Sequence, residues 1–361
     1  MTFDSETPYN DLPPLPPERA VETRPVLKQA IAANRALAEL KGAGDLIPNQ
    51  SILINAIPLQ EAKSSSEIEN IVTTNDKLFK AAVSKDMEVD PQTKEVLNYR
   101  SALRKGHELL NDRPLSTNLL ETVCSIILDK DAVIRKLPGT TIQNESTGET
   151  VYTPPVGEDT IRTKLGELET FINNDDALDP LVRLAMIHYQ FEAIHPFYDG
   201  NGRTGRILNL LYLLQVELLN IPVLYLSRFI IQNKAEYYAK LRAVTEVDAW
   251  EAWILFMLQA IEETASWTSG KIREIKTLLD DTVERCRETL PSHMYSKELI
   301  ELIFVQPYCK IAFVVDAGIA KRQTASEYLQ ALVEMGILTV EPVGREKIYI
   351  HPELLDLLAD V

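Results

Sequence analysis

A glycine-rich loop between two apolar helical patterns constrains the fold of this chain more than any other feature. Before the loop, the apolar residues of "DPLVRLAMIHYQFEAI" recur every three or four positions after an N-capping Asp179, which predicts a half-buried helix. After the loop, "RILNLLYLLQVELLN" is apolar nearly all round and predicts a central helix. The connection reads "HPFYDGNGRTGR", residues 195–206. The pattern predicts a helical bundle with a polar loop at its centre.

Helical patterns also dominate the rest of the chain. Within residues 24–44 the pattern predicts an amphipathic helix that ends at Gly42 and has an apolar stripe of Val26, Leu27, Ala30, Ile31, Leu37 and Leu40. Residues 51–84 predict two helices separated near Pro58. Thr, Val and Ile alternate around the polar "NESTGE" within residues 135–160, which predicts a β-hairpin or flap. The predicted fold class is therefore mainly α.

Changes in pattern divide the chain into three regions. Residues 1–90 form an N-terminal helical region that opens with the extended, proline-rich "PYNDLPPLPP" and closes at the acidic "KDMEVDPQ". Residues 91–285 form the core that carries the loop and the flap. Residues 291–361 predict three helices and two strands around Pro342, which is the outline of a winged helix.

The overall charge restricts what the chain can bind. Lys and Arg total 37 against 53 for Asp and Glu, and the net charge of -16 should repel nucleic acid and anionic lipid. Any phosphate site must therefore be local. The cysteines Cys124, Cys286 and Cys309 are far apart, which suits buried thiols in a reducing compartment. Because "MTFDSETPYN" shows no apolar leader pattern, we expect a cytoplasmic protein with no membrane partner.

The loop has the composition of an anion site. It enters the N-terminus of a buried helix, so its backbone N–H groups lie beside the positive helix end. Gly200 and Gly202 allow a ligand to approach the backbone closely. Arg203 and Arg206, on the first turn, are expected to face the same anion. For the glycines alone, the alternative is an interhelical turn whose arginines pair with surface acids.

Two further side chains of the loop fit a site for group transfer. Asp199 offers the hard carboxylate oxygen that Mg²⁺ prefers when phosphates supply its other ligands. His195, at the rim, can accept a proton from a hydroxyl because the reference pKa of imidazole is about 6.5. The loop lacks the Lys-Ser/Thr pair of a Walker motif, and we interpret His188 as a packing residue rather than a zinc ligand. The loop thus predicts transfer from a nucleotide to a hydroxyl group.

"HPFYDGNGRTGR" resembles the signature of the Fic (Fido) family, HPFx[DE]GNGRxxR, at every constrained position. "YNDLPPLPP" and "EAKSSSEIEN" resemble the N-terminal region of these proteins, "VYTPP" resembles their flap, and a winged helix is a common C-terminal appendage. The resemblance implies a Fic-type helical core and AMPylation, the transfer of AMP from ATP to a Ser, Thr or Tyr hydroxyl of a target protein. ATP and Mg²⁺ would serve as substrate and cofactor. Relatives that transfer phosphate, UMP or phosphocholine are alternatives, but the kinase-like branch has Lys where this chain has Gly202.

The resemblance also implies a role for each residue of the loop. His195 would deprotonate the target hydroxyl, Asp199 would bind Mg²⁺, and Arg206 would hold the γ-phosphate. The remaining ATP-binding residues would be Gly200, Asn201, Gly202, Arg203, Thr204 and Gly205, the first four of them at the α- and β-phosphates.

Two elements outside the loop would complete the site. Tyr238 in "EYYAKL" would contact the nucleotide, although two aromatic residues at this spacing are also typical of a core. In the family the flap pairs with the backbone of the target segment. That role would fall here on Val151, Tyr152 and Thr153.

"SSSEIEN" resembles the inhibitory motif of the family, [ST]xxxE[GN], with Ser65, Glu69 and Asn70 in the defined places. Its position ahead of the core implies the intramolecular class, in which Glu69 would pair with Arg206 and take the charge that the γ-phosphate needs. The alternative is a solvated helix acid. A few related proteins use this glutamate to position water and remove AMP from modified targets, so a reverse activity is a further prediction.

The C-terminal region supports a function of a different class. Lys321, Arg322, Arg345 and Lys347 could cluster on a recognition helix and wing, which would make the chain a DNA-binding regulator. Residues 291–361 hold ten acids against six basic residues, however, and 6 - 10 gives a net charge of -4. We therefore favour a module for target docking or homodimer formation, with DNA binding as the alternative.

Overall fold

The computed structural model describes residues 3–47, 49–83, 89–143, 147–174, 177–343 and 346–359. Helices dominate these residues, and the strands form one hairpin and one small three-stranded sheet, which confirms the mainly α fold. Residues 144–146 of the predicted flap and residues 85–88 of the predicted boundary lie outside the described residues. Within the described ranges, no helix is both long enough and apolar enough to cross a membrane.

The N-terminal region begins with an extended segment and continues as α1 (Arg24–Gly44), α2 (Ser51–Ile68) and α3 (Asn75–Val83). The predicted interruption near Pro58 is wrong, because α2 runs through this proline to Ile68. Nearly every residue from Ile52 to Ile68 is buried or half-buried. Tertiary packing of this helix outweighs the backbone hydrogen bond that a proline removes.

The predicted apolar stripe of α1 is partly wrong. Val26, Ala30 and Leu37 are buried, as predicted, but Leu27 is 43% exposed and Ile31 is 72% exposed. The buried face of α1 packs mainly along the long helix Trp250–Thr289, and this contact surface is narrower than the stripe that the sequence pattern suggested.

The core of the chain consists of α4 (Pro91–Leu110), α5 (Thr117–Leu128), β1 (Ile142–Gln143), β2 (Thr150–Tyr152), α6 (Glu158–Asn173), α7 (Pro180–Ile194), α8 (Asn201–Gln215), α9 (Leu226–Gln232), α10 (Lys234–Val247) and α11 (Trp250–Thr289). Strands β1 and β2 pair in antiparallel fashion and form the flap. The two helices that flank the glycine-rich loop are α7 and α8, and both are buried over most of their surface. The loop therefore emerges from the centre of the bundle, as predicted.

The C-terminal region consists of α12 (Lys297–Val305), β3 (Tyr308–Cys309), α13 (Ile311–Asp316), α14 (Arg322–Glu334), β4 (Thr339–Val343), β5 (Glu346–Ile350) and α15 (Pro352–Ala359). The antiparallel sheet has the order β3-β5-β4. Helices α12 to α14 and this sheet lie in the region for which the sequence predicted a winged helix. Lys321, Arg322 and Lys347 are exposed, whereas Arg345 lies outside the described residues.

Two contacts between regions determine the surroundings of the loop. Helix α2 packs against α4 and α9 of the core and against α12 of the C-terminal region. The extended N-terminal segment lies over the flap, where the Tyr9 N–H donates to the Thr153 carbonyl at 3.0 Å and the Thr153 hydroxyl donates to the Ser5 carbonyl at 2.6 Å. The extended, proline-rich segment therefore packs against the flap.

Candidate active site

The glycine-rich loop is shaped by two left-handed residues and one side chain. Helix α7 ends where His195 adopts a φ of 48°, and α8 begins after Gly200, which adopts a φ of 80°. Between them the Asn201 amide accepts a hydrogen bond from Phe197 N and donates one to Phe197 O, each at 2.8 Å. The Asn201 side chain is therefore committed to the loop backbone. A ligand at this residue would therefore contact its main-chain N–H and not its side chain.

Arg206 is held by the end of α2. Its guanidinium is 1% exposed. Nε donates to the Ser65 hydroxyl at 2.7 Å, and Nη2 donates to the Ser65 carbonyl and to Glu69 Oε1, both at 2.8 Å. The three bonds bring together the predicted inhibitory residues and the predicted γ-phosphate arginine.

The electrostatics of this pair favour the charged forms. Desolvation raises the pKa of Glu69, but the charge and the hydrogen bond of Arg206 outweigh it, and the pKa of Glu69 is lowered overall. Desolvation likewise opposes the charge of Arg206, and the Glu69 carboxylate overcomes it, so that the pKa of Arg206 is raised. Both groups are therefore ionised at neutral pH.

Glu69 also lies against the backbone at the start of α8. A Cβ atom on Gly202 would overlap Glu69 Oε1, so this glycine is required for the carboxylate to lie against the first turn of α8. The following residue, Asn70, adopts a φ of 62°, which suits Asn or Gly and lets the chain leave α2 at this point. The space beside Gly202 accommodates the carboxylate of Glu69, and the positive φ at residue 70 explains the Asn or Gly of the resembled motif.

A buried carboxyl about two helical turns before Glu69 holds α2 in place. Glu61 accepts hydrogen bonds from Ser227 N at 2.9 Å and from the Tyr99 hydroxyl at 3.1 Å. Along α2, Glu61, Ser65 and Glu69 follow at intervals of four residues and therefore share one face. That face turns toward α8, and it is anchored on α4 and on the first residues of α9.

Arg203 does not face the same partner as Arg206, contrary to the sequence prediction. It donates to Glu95 Oε2 at 2.8 Å and to Asp199 Oδ1 at 3.2 Å, and its side chain is 3% exposed. At about 3.6 residues per turn, positions three apart differ by about 60° in direction, and here each arginine meets its own carboxylate. The sequence did not identify Glu95, because an acid on α4 carries no local pattern that links it to the loop.

His195 has the electrostatics of a neutral base. Its side chain is half-buried at the end of α7, and its desolvation together with the positive charge of Arg135 lowers the pKa of His195 to about 4. The imidazole is therefore unprotonated at neutral pH and can accept a proton. His188 is different: it is fully buried between Tyr237 and Trp253, and its Nε2 lies 2.7 Å from the Tyr237 hydroxyl. The packing interpretation of His188 agrees with this environment.

A pocket of about 810 Å³ opens between the loop, the flap and α10. Among its lining residues are His195, Gly202, Arg206, Glu69 and Tyr238. Tyr238 is 42% exposed, whereas Tyr237 is buried, so the core alternative fits Tyr237 and not Tyr238. The structure brings the predicted base, the γ-phosphate arginine, the inhibitory glutamate and the predicted nucleotide-contacting tyrosine to one cavity.

Of the other predicted residues, some line this pocket and some pack behind it. Thr204 is fully buried beside Cys124, and a Cβ on Gly205 would overlap Glu192 Oε1, so these two residues pack the back of the loop. Of the flap residues, Val151 and Tyr152 line the pocket. Thr153 instead bonds to the N-terminal segment, as described above.

Three family models match consecutive parts of the chain. The model described as "Fic/DOC family N-terminal" matches residues 27–108, "Fic/DOC family" matches residues 115–213, and "Protein adenylyltransferase SoFic-like, C-terminal domain" matches residues 278–354. The chain belongs to the Fic/DOC family. The second match contains the flap, His195 and the whole glycine-rich loop.

Curated relatives of the Fic chain are named protein adenylyltransferases. The chain is 35% identical over 89 residues to fic-1 of Caenorhabditis briggsae, a stretch that covers 24% of this chain and 16% of that protein. It is 29% identical over 154 residues to Fic of Drosophila mojavensis, which covers 41% of this chain and 29% of the relative. The matches thus span less than a third of these relatives' own length.

Solved structures share the Fic fold. A Fic family protein from Desulfovibrio desulfuricans G20 aligns with a TM-score of 0.58 at 18% identity, covering 93% of this chain and 98% of that one. A fragment of Fic-1 from Caenorhabditis elegans aligns with a TM-score of 0.50 at 18% identity, covering 69% of this chain and 73% of that one. At this identity the likeness shows the fold alone. The matched C-terminal model takes its name from an adenylyltransferase and gives no support to a DNA-binding regulator.

One acidic residue of the Fic pocket was missed by sequence reasoning. Glu192 lines the pocket three residues before His195, and desolvation is the main cause that raises the pKa of Glu192 to about 7. The carboxylate of Glu69 adds to this increase, and Arg206 opposes it. The signal that could have found Glu192 is an acid in the last turn of an otherwise apolar helix.

Proposed function

We propose that this Fic chain is an autoinhibited protein adenylyltransferase that transfers AMP from ATP to a Ser, Thr or Tyr hydroxyl of a target protein and of itself. The observation that carries the proposal is the bonding of Arg206 to Glu69 and Ser65 inside the pocket that His195 also lines. In this proposal the start of α8 forms the cradle that binds the anion, His195 is the neutral base, and Glu69 is the carboxylate that competes with the anion for Arg206. The names of the curated relatives support the same chemistry.

The proposed transfer forms one bond and breaks one bond at phosphorus. The target hydroxyl oxygen attacks the α-phosphorus, its proton passes to the neutral imidazole of His195, and the bond to the departing pyrophosphate breaks. Main-chain N–H groups at the start of α8, from Asn201 to Arg203, stabilise the negative charge of the phosphates. Arg206, once released by Glu69, binds the γ-phosphate.

Asp199 fits the proposed role of a Mg²⁺ ligand. Its side chain is 61% exposed, and its contacts to Gly200 N at 2.6 Å and to Arg203 both involve Oδ1. In the part of the chain that the structure describes, no group of three or more His, Cys, Asp or Glu could hold a metal ion, so phosphates and water would supply the other ligands. Bound Mg²⁺ would neutralise phosphate charge during the transfer.

The proposed inhibition is a competition for Arg206. The guanidinium is almost fully buried, and its contacts are satisfied by the end of α2. A γ-phosphate that enters the cradle must replace Glu69 Oε1 as the acceptor from Nη2. Wild-type protein would therefore bind ATP in a position that seldom leads to transfer.

The transferase assignment can be tested with ATP that is labelled either at the α-phosphate or at the γ-phosphate. We expect Glu69→Gly protein to retain label from α-phosphate-labelled ATP and none from γ-phosphate-labelled ATP. Adding His195→Ala should abolish this labelling with ATP affinity nearly unchanged, because the cradle is separate from the base. Adding His107→Ala, on α4 outside the pocket, should have no effect. Retention of γ-label would indicate a kinase and contradict the proposal.

A reverse activity is a second candidate, because Glu69 and His195 line the same pocket and could together direct water at an AMP-modified hydroxyl. We expect wild-type protein to release AMP from chain that the Glu69→Gly variant has modified, and the Glu69→Gly variant itself to release none. Measurement of free AMP by chromatography decides between the outcomes, and equal release by the two proteins would exclude a role for Glu69.

A further inference from the structure

Arg135 is a buried cation with no assigned role. Its side chain is 1% exposed and lies between the flap and the end of α7. Nε donates to the His195 carbonyl at 2.7 Å, and Nη2 donates to the Pro155 carbonyl at 3.0 Å and to the Ile194 carbonyl at 3.3 Å. The three acceptors are main-chain carbonyls, so one guanidinium joins two separate segments of backbone.

Two of these bonds satisfy main-chain carbonyl groups at the C-terminal end of α7. The last carbonyls of a helix lack intrahelical partners and carry partial negative charge, which a guanidinium satisfies. His195 lies at this end in a left-handed conformation, with a φ of 48°, that a residue other than glycine adopts only when its surroundings hold it there. The bond to the His195 carbonyl is therefore positioned to hold the conformation from which the imidazole enters the pocket.

The main chain around Arg135 reinforces the same link. Arg135 N donates to the Pro196 carbonyl at 2.9 Å, and Ile134 forms an antiparallel bridge with Phe197. The bond to the Pro155 carbonyl lies just after Val151–Thr153, the part of the flap to which a target segment is proposed to bind. Arg135 thus contacts the backbone that carries the base and the backbone that directly follows the docking strand.

We propose that Arg135 is a positioning residue that fixes the spacing between His195 and the flap, so that a docked hydroxyl meets the imidazole. The inference rests on the proposed transfer for its effect on rate. Its structural part, the link between two backbone segments, does not depend on that activity. A misplacement of about 1 Å at a reacting group can reduce a rate on the order of 100-fold.

The chain offers a matched control in Arg183. This arginine is also buried, and its guanidinium also donates to main-chain carbonyls at a helix end, among them Asn174 O at 2.7 Å. It lies at the start of α7, at the opposite end of the helix from His195. Replacement of Arg183 by Met removes a comparable set of bonds without touching the base or the flap.

The test introduces Arg135→Met, Arg135→Lys and Arg183→Met into Glu69→Gly protein. At saturating ATP, Arg135→Met should lower kcat for self-labelling on the order of 100-fold with an almost unchanged KM for ATP. Arg135→Lys should recover part of this loss, because the ammonium keeps the charge and one bond. Arg183→Met should lower thermal stability and leave kcat within about 2-fold. Equal losses of kcat in Arg135→Met and Arg183→Met would overturn the proposal.

Hydrogen exchange measures the structural link without any transfer. In Arg135→Met, amide exchange should rise together in residues 150–156 and 193–197, whereas Arg183→Met should leave both segments unchanged. A rise confined to one segment would contradict the link. If exchange rises in both segments but the Glu69→Gly parent protein transfers no AMP, the link stands and only the proposed function is contradicted.

Discussion

At the scale of single residues, the site depends on charges that burial has shifted. His195 is kept neutral by desolvation and by Arg135, whereas Glu69 and Arg206 are kept charged by each other. Glu192, in the same pocket, has a pKa raised to about 7. The same low-dielectric surroundings therefore disfavour charge on isolated groups and favour it in the pair.

The pKa of His195 predicts the pH dependence of transfer. A base works in its deprotonated form, and a pKa lowered to about 4 keeps His195 deprotonated throughout the neutral range. In Glu69→Gly protein the pKa should fall further, because the Glu69 carboxylate raises it. We expect kcat for self-labelling to show no His195-dependent decline between about pH 8 and pH 5.5. A decline with a midpoint near the reference value of about 6.5 would contradict the assigned electrostatics.

Asp199 gives a second prediction at this scale. Asp199→Asn keeps an oxygen that can accept from Gly200 N but removes the negative charge that binds Mg²⁺. In the Glu69→Gly background, the Mg²⁺ concentration for half-maximal self-labelling should rise on the order of 10-fold, and excess Mg²⁺ should restore most of the rate. An unchanged Mg²⁺ dependence in this titration would place the metal on other residues.

At the scale of elements, the contact between Glu69 and Arg206, which we propose to be inhibitory, depends on where α2 ends. The helix passes through Pro58 without interruption, and Glu61 anchors it before Ser65 and Glu69 reach Arg206. The left-handed Asn70 then turns the chain away. A small displacement of this last turn would separate Glu69 from the guanidinium.

Asn70 tests the importance of that turn. Asn70→Ala should lower the free energy of unfolding by about 1 kcal/mol because alanine is strained at a positive φ, and it should raise self-labelling by loosening Glu69. Asn70→Gly should change both quantities less. Asp129→Ala is the control, since Asp129 ends α5 with a φ of 52° and should lose similar stability without activation. Equal labelling by wild type and Asn70→Ala would separate the turn from inhibition.

How much the sequence predicts depends on whether the information is local. The helices on either side of the loop, the loop itself and the spacing of Ser65, Glu69 and Asn70 are local patterns, and the structure places them as predicted. The continuity of α2 through Pro58, the exposure of Ile31 and the different carboxylate partners of Arg203 and Arg206 depend on packing partners distant in sequence. Arg135 and Glu95 could not be found for the same reason.

At the scale of the whole molecule, the three regions of the chain meet around α2. Core helices α4 and α9 and the C-terminal α12 all pack on it, and the buried hydrogen bonds of Glu61 join it to Tyr99 and Ser227. Because so much of the fold holds this helix, removal of the Glu69 side chain should leave the helix in place. The proposed inhibition can therefore be tested by a single substitution that leaves the fold intact.

The most direct measurement of the central claim is self-AMPylation by wild type, Glu69→Gly, Arg206→Ala and the double variant under matched ATP and Mg²⁺. Breaking a partly desolvated ion pair worth about 3 kcal/mol should raise labelling by Glu69→Gly on the order of 100-fold. Arg206→Ala also breaks the pair but removes the γ-phosphate contact, so it should stay inactive, and the double variant should resemble it. Intact-mass spectrometry reports the added AMP directly. Equal labelling by wild type and Glu69→Gly would contradict the account and return Glu69 to the role of an ordinary helix acid.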